Sequence, residues 1–190
     1  MKTKTLLGLA LLLLTLMTGC SSDDETQPVM SNDDALRGGV IYDMFGKPEV
    51  DTSDPLAVFF RDELHGSYWD GSGNEHKTFF EHGNWDDERC LMINSHQEFQ
   101  DAYMGNAELP DVDFNKYTLI IGKTWGSDSS FELGAVILRD KNTNYELETK
   151  LYHHVEQMAF CTIMNIYYWR LYPKLPKKSI VLIRTTEDVN

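Results

Sequence analysis

The thiol of Cys20 is the side chain whose surroundings most clearly specify a chemistry. It follows a positively charged start, with Lys2 and Lys4, and an apolar run from Leu6 to Met17. As a helix this run would span about 18 Å, which is too short for a hydrocarbon core of about 30 Å. Residues 1–19 are therefore predicted to be a cleaved signal peptide, and Cys20 directly follows it.

The segment Leu16-Met17-Thr18-Gly19-Cys20 resembles the lipobox of bacterial lipoproteins, in which a small residue precedes the lipidated cysteine. The resemblance implies that Cys20 accepts a diacylglycerol and that cleavage before it exposes an amine for a further acyl chain. Two or three acyl chains anchor a protein to a membrane far more firmly than one, because each buried CH₂ group contributes about 0.8 kcal/mol. We expect a mature protein that is tethered to a membrane through its N-terminal lipid.

Residues 20–35 are polar and acidic, with little to bury, and they are predicted to form a disordered stalk after the lipidated cysteine. Acidic residues at this place are similar to the export signal that puts Bacteroidetes lipoproteins on the outer face of the outer membrane. A plain solvated spacer is the alternative interpretation. The expected location is the outer membrane, with the protein exposed on the cell surface, and residues 36–190 are expected to form a single globular domain.

The charge of the chain excludes one class of partner. The 190 residues contain 17 Lys plus Arg and 30 Asp plus Glu, which gives a formal net charge of −13. Phosphate contacts need clustered Lys and Arg, so this is not the composition of a nucleic-acid-binding protein. The hydrophobic fraction of 42% is that of a folded domain.

Cys90 and Cys161 are the two thiols that remain once Cys20 is lipidated. Both fall in segments predicted to be apolar strands, and an exported protein folds in an oxidising compartment. A disulfide between neighbouring strands is one expectation. Two buried free cysteines that pack as small hydrophobic residues are the other.

Other chemically capable residues have ordinary explanations. The run from Asp70 to Asn74, followed by Glu81, places oxygen ligands with the spacing of an EF-hand calcium loop, but Glu75 stands where that loop needs glycine. The pair Asp111 and Asp113 is better explained as a turn that leads into a strand. Neither the histidines nor any nucleophile shows a metal-ligand or catalytic spacing. We expect no enzymatic activity, no metal and no cofactor.

Four aromatic residues in or beside predicted loops are candidates for ligand contact: Tyr68, Trp69, Trp85 and Trp125. Flat aromatic rings can stack on sugars or anchor a protein partner. The same rings could instead cover the rim of a small core.

Two helices are predicted from their N-terminal signals. Asp54-Pro55 precedes an apolar pattern that continues to Leu64, with Asp54 as the cap and proline at the first position. A buried strand over Ala57-Val58-Phe59-Phe60 is the alternative there. Ser95 and Glu98 match a capping box, and the helix they begin is expected to stop before Gly105.

The remaining patterns predict β-strands. They lie at 39–42, 89–93, 117–122, 133–139, 145–152, 158–172 and 179–184, and residues 66–76 are expected to form a turn-rich loop. The segment 158–172 is either one strand or two strands bent at a bulge. Between Tyr145 and Tyr152 apolar and charged residues alternate, which is typical of a strand with one buried face. The predicted fold class is α+β, with a mainly antiparallel sheet, sandwich- or barrel-like, packed against one or two helices.

The stretch from Ile93 to Trp125 is similar to a group of Bacteroidetes lipoproteins and, more distantly, to the PrcB-like family of protease-complex subunits. The resemblance rests on the segment INSHQEF, on Leu109-Pro110 and Val112-Asp113-Phe114, and on the apolar strand that follows them. The later segment Tyr172-Pro173-Lys174-Leu175-Pro176 also fits the lipoprotein group. PrcB-like chains have Gly-Gly-Tyr where this chain has Trp125-Gly126-Ser127. The resemblance implies a non-catalytic accessory domain that binds a protein in the cell envelope. A surface lipoprotein that binds a glycan or a small ligand is the alternative function.

Overall fold

The computed structural model describes residues 29–30, 35–80 and 86–190. The predicted signal peptide, Cys20 and most of the expected stalk lie outside this range. The elements, in chain order, are β1 (Val29–Met30), β2 (Arg37–Tyr42), α1 (Pro55–Glu63), β3 (Ser67–Trp69), β4 (Glu75–Lys77), β5 (Arg89–Ile93), α2 (His96–Ala102), β6 (Tyr117–Gly126), β7 (Phe131–Asp140), β8 (Asn144–His154), β9 (Met164–Pro173) and β10 (Ser179–Val189).

Two four-stranded sheets pack face to face. The first sheet has the order β1-β7-β8-β10 and the second the order β2-β9-β6-β5, while β3 and β4 form a separate hairpin. The sheets are not closed into a barrel, so the predicted α+β class is confirmed in its sandwich form. All neighbouring strands are antiparallel except β8 and β10, which pair in parallel over their whole length.

The second sheet is covered on both faces, and this explains why its central strands have almost no polar positions. One face packs against the first sheet, and the other is covered by α1, α2 and the segments around them. In β6 nearly every residue is buried, including Leu119 and Ile121 on the helix side and Ile120 on the inter-sheet side. A strand buried on both faces shows a continuous apolar run rather than an alternating pattern.

The first sheet has one solvent face, and its strands alternate accordingly. Tyr145, Leu147, Thr149 and Leu151 of β8 are all buried between the sheets, as the sequence pattern predicts. The hairpin predicted between β7 and β8 is also present, with an irregular register beside Gly134.

Both predicted helices are present, with their predicted caps. The Asp54 carboxylate accepts hydrogen bonds from the backbone N–H groups of Leu56 (3.0 Å) and Ala57 (3.3 Å). The Ser95 hydroxyl accepts from the Glu98 N–H at 3.1 Å, and the Glu98 carboxylate accepts from the N–H of Asn94 at 2.6 Å. The return bond of the capping box thus reaches one residue further back than the motif specifies.

Three predictions of local structure were wrong. Residues 66–76 are not simply a loop, because β3 and β4 pair there as a short hairpin. The strand predicted from Met158 begins only at Met164, and residues 155–163 form a loop. Within the expected disordered stalk, Val29–Met30 pairs with the edge of β7.

The sandwich has two ends that differ in what they present. The chain enters the domain at one end, where Arg37 of β2 pairs with Leu171 near the end of β9, and Val29 pairs with Arg139 near the end of β7. We call this the entry end. The opposite, distal end lies about 35 Å away along strands of ten or eleven residues. It is formed by the β6–β7 and β8–β9 connections.

Candidate functional site

Exposed apolar side chains are concentrated at the distal end. Among the described residues, seven large hydrophobic side chains are exposed, and four of them lie there: Phe45, Val155, Met158 and Phe160. Met158 is fully exposed, and 70% of Phe160 is accessible to solvent. An isolated exposed apolar residue needs no explanation, whereas several in one place mark a binding surface.

Three of these residues belong to the distal loop, residues 155–163, which is held in place by backbone hydrogen bonds. Val155 N–H donates to the carbonyl of Val189 at 3.2 Å, and Gln157 N–H donates to that of His154 at 3.1 Å. Further along, the Phe160 N–H donates to the Ser129 hydroxyl at 2.8 Å. The loop is thereby fastened to the end of β10 and to the β6–β7 connection, with Met158 between the two attachments.

The loop is not a strand because no strand lies opposite it. The last pair between β6 and β9 joins Gly126 to Met164, after which the chain of β6 turns away toward β7. The apolar composition of residues 158–163 favoured a strand, but no neighbouring strand among the described residues is in register to pair with them. The predicted strand of fifteen residues exceeded the usual range of three to ten, and this excess length was the available signal.

Five carboxylates belong to the chain segments that meet at the distal end. We call Asp128, Glu132, Glu156, Glu187 and Asp188 the acidic rim; the segments that contain them, 127–132, 152–163 and 186–190, have no Lys or Arg. The Glu132 carboxylate lies 3.1 Å from His154 Nε2, and the Asp188 carboxylate lies 2.9 Å from His153 Nδ1. Both carboxylates remain well exposed, with 59% and 71% of their side-chain surface accessible. Together the distal loop and the acidic rim form what we call the tip.

The base of the tip is rigid. The ring of Phe131 stacks on His153 with 4.6 Å between centroids and 15° between planes. Asp128 accepts hydrogen bonds from the N–H and the hydroxyl of Ser130. Burial opposes ionisation of Asp128, but the two Ser130 donors, His153 and the Ser127 hydroxyl together hold the pKa of the carboxyl below its ordinary value.

Trp125, one of the predicted contact residues, lies beneath this end and is covered. The Arg184 guanidinium lies over its indole ring at 4.2 Å, and Arg184 Nη2 donates to the Trp125 carbonyl at 3.0 Å. Nearby, Glu88 accepts a hydrogen bond of 2.6 Å from the Thr124 hydroxyl. Burial raises the pKa of Glu88 despite the proximity of Arg184. Trp125 is therefore half-buried, and Arg184 occupies one face of its ring.

The other predicted aromatic contacts are not brought to Trp125. Tyr68 and Trp69 lie on the β3–β4 hairpin, where Tyr68 stacks on His76 at 5.3 Å and Trp69 is 69% exposed. Trp85 lies outside the described residues. The three described residues therefore do not form one stacking platform, and this arrangement gives no support to a glycan-binding surface.

The predicted disulfide is not formed. Cys90 and Cys161 are both free, with Cys90 partly covered in β5 and Cys161 exposed in the distal loop. The prediction placed both in strands, and only Cys90 is in one. Burial raises the pKa of the Cys90 thiol to about 12, which disfavours the thiolate at neutral pH.

The calcium-like loop is a hydrogen-bonded turn between β3 and β4. The Asp70 carboxylate accepts from the N–H groups of Ser72 and Asn74, at 2.8 and 2.9 Å, and from the side chains of Asn74 and His76. Gly73 has φ of +82°, which glycine adopts without strain. Backbone and side-chain donors lower the pKa of Asp70. Its oxygens are used by the turn itself.

Asp113 also stabilises a turn, as the sequence indicates. It accepts from the Asn115 N–H at 3.2 Å and pairs with Lys116 at 3.0 Å, directly before β6. Within residues 35–80 and 86–190, no three His, Cys, Asp or Glu residues are grouped so that they could hold a metal ion.

One further cavity, of about 360 Å³, lies between β2 and α1. Its polar walls carry Arg37 and Asp54, which pair with each other at 2.9 Å, and Trp169 lies at its base. Arg61, which also lines the cavity, pairs with Asp62, so both arginines of the wall are engaged in ion pairs within the chain.

Comparisons with protein-family models, with curated proteins and with solved structures found no match for this chain. The likeness to envelope lipoproteins therefore stays a prediction from short motifs. Of the two described helices, neither has the length and apolar character that crossing a bilayer requires.

Proposed function

We propose that this chain is a lipid-anchored accessory protein of the cell envelope, without catalytic activity, whose domain binds another protein. Cys20 would carry the lipid, and the anchor would hold the protein in the outer membrane with the domain on the cell surface. The observation that carries the proposal is the tip, where Val155, Met158 and Phe160 are exposed on a loop fastened to the sheets.

The position of the tip supports this function. The expected stalk joins the domain at the entry end, and the nine residue steps from Cys20 to Val29 could extend by about 30 Å. The tip lies at the other end of the sandwich. A tether at one end and an apolar surface at the other is the arrangement of a domain that reaches for a partner beyond the membrane to which it is attached.

The chemistry of the described residues supports a binding role over catalysis. The most buried thiol, Cys90, has its pKa raised, and the histidines of the tip pair with exposed carboxylates rather than with a nucleophile. Interfaces need apolar anchors with a polar surround, and the tip has that composition.

The test is purification of the tagged, lipidated protein from its own membranes in a mild detergent, followed by mass spectrometry. We expect a stoichiometric protein partner that is retained with Trp69→Ser and lost with the double variant Met158→Ser/Phe160→Ser. We also expect Cys20→Ala to release the protein from the membrane fraction. A monomer without a partner, with wild type and both variants alike, would refute the accessory role.

A further inference from the structure

The tip combines exposed apolar side chains with a set of carboxylates. At its centre are apolar side chains, chiefly Met158 and Phe160, which water solvates poorly. Around them are five carboxylates without a Lys or Arg in the same segments. Of these, Glu187 pairs with Lys150, which lies on the exposed face of β8. Among the described residues, the ion-pair partners of Glu132 and Asp188 are the histidines His154 and His153. The apolar anchors are therefore set in a negative field.

An anionic lipid surface, a second copy of this chain and a basic protein segment are the candidates that could bind the tip. Its negative charge argues against the first two. An anionic lipid surface would be repelled by the acidic rim, and it would also have to be reached from the end opposite the tether. A second copy of this chain has a formal net charge of −13, and a symmetric contact would bring the two acidic rims together. A basic protein segment has neither difficulty, because its charge complements the rim.

We propose that the tip binds a cationic protein segment that places an apolar side chain against Met158 and Phe160 and Lys or Arg side chains against Glu132 and Asp188. This inference rests on the proposed function and names the chemistry of the partner. The apolar contact supplies most of the affinity, and the carboxylates select the partner and accelerate its association.

The experiment is photo-crosslinking in living cells, using the full-length lipidated chain with p-benzoylphenylalanine in place of Phe160. This substitution keeps an aromatic side chain at an exposed position, so it does not disturb the core. We expect one predominant protein adduct whose crosslinked peptide carries a net positive charge. The adduct yield should fall about tenfold when Glu132→Lys and Asp188→Lys are introduced together, since loss of two charge contacts is worth roughly that factor.

A matched pair of charge reversals controls for the net charge. Asp101→Lys and Glu108→Lys make the same change on the helix side of the domain, where both residues are exposed. The adduct yield should be unchanged in this variant. A thermal melt of each variant, followed by circular dichroism, verifies that all of them are folded.

Several outcomes would overturn the inference. These are an adduct with lipid, an adduct with a second copy of the chain, a crosslinked segment of net negative charge, or equal loss of yield in both pairs of reversals. Failure of the proposed function is distinguished by p-benzoylphenylalanine at position 69. A protein adduct from position 69 but none from position 160 means that the domain binds a partner through another surface, whereas none from either refutes both.

Discussion

The two faces of the second sheet are packed in different ways. On the helix side, the rings of Phe59, Phe79, Phe99 and Trp169 surround Phe60, with centroids between 5.0 and 6.2 Å from it. Between the sheets, the large side chains are Tyr145, Tyr168 and Tyr172, whose hydroxyls bring polar atoms into the interior. The helix-side core is thus largely hydrocarbon, while the inter-sheet core mixes apolar surface with polar groups.

This difference shows how one sheet can serve two purposes. The helix-side core needs only to exclude water, and densely packed aromatic rings do this best. The inter-sheet core extends to the distal end, where its polar groups continue into Thr124, Glu88 and Arg184 beneath the tip. The helix-side core thus stabilises the fold, and the inter-sheet core also supports the tip, which we propose binds a partner.

The largest effect is expected from Phe60→Ala. Phe60 is completely buried against four aromatic rings, so its truncation leaves a cavity in the helix-side core. The free energy of unfolding should fall by about 3–5 kcal/mol, measured by urea denaturation. Phe160→Ala is the matched control and should change it by less than about 0.5 kcal/mol. Equal losses at the two positions would mean that the distal loop belongs to the core.

A smaller loss is expected from Gly122→Ala in the inter-sheet core. Gly122 lies opposite Tyr168 in the register, and a Cβ atom at Gly122 would come within 2.0 Å of Tyr168 Cζ. Because Tyr168 is fully buried and cannot swing into solvent, we expect destabilisation by about 1–3 kcal/mol. The free energy of unfolding is again measured by urea denaturation. Gly46→Ala, where a Cβ would meet no atom within 4 Å, should leave it nearly unchanged. A neutral Gly122→Ala would show that the inter-sheet core has room to adjust.

The elements that the sequence predicted correctly are those encoded by local rules. The Asp54 and Ser95 caps are read from one turn of chain, and the alternation in β8 follows from one buried face. These features do not depend on what the rest of the molecule does. The caps and the α+β class were therefore predictable without knowledge of the pairing, whereas the choice between a sandwich and a barrel was not.

The features that the sequence did not reveal depend on register between distant segments. Nothing in Ser179–Val189 indicates that it pairs in parallel with β8, because that is decided by the path of the chain through β9. The distal loop was mistaken for strand because its residues are apolar, and only the end of β6 at Gly126 shows that they have no partner strand. The candidate site was missed for this reason. Met158 and Phe160 are exposed because the pairing of β9 with β6 begins only at Met164, and the sequence does not show where that pairing begins.

The smallest effect, and the one that isolates the polar character of the inter-sheet core, is the pH dependence conferred by Glu88. Thr124, Thr149, Lys123 and Arg184 face its carboxyl group, yet burial raises the pKa of Glu88 above 4.5. The folded protein therefore holds this proton more tightly than the unfolded chain does. The associated stability is fully present below pH 4.5 and is lost as the pH rises through the raised pKa.

Glu88→Gln cannot ionise, so its free energy of unfolding should fall less steeply than that of the wild type as the pH rises through the raised pKa of Glu88. Urea titrations at a series of pH values measure the difference, with Glu156→Gln, in the exposed loop, as the control that should parallel the wild type. A steeper fall in Glu88→Gln would mean that Arg184 stabilises the charged carboxylate by more than burial opposes it, and the two cores would then differ less than their side chains indicate.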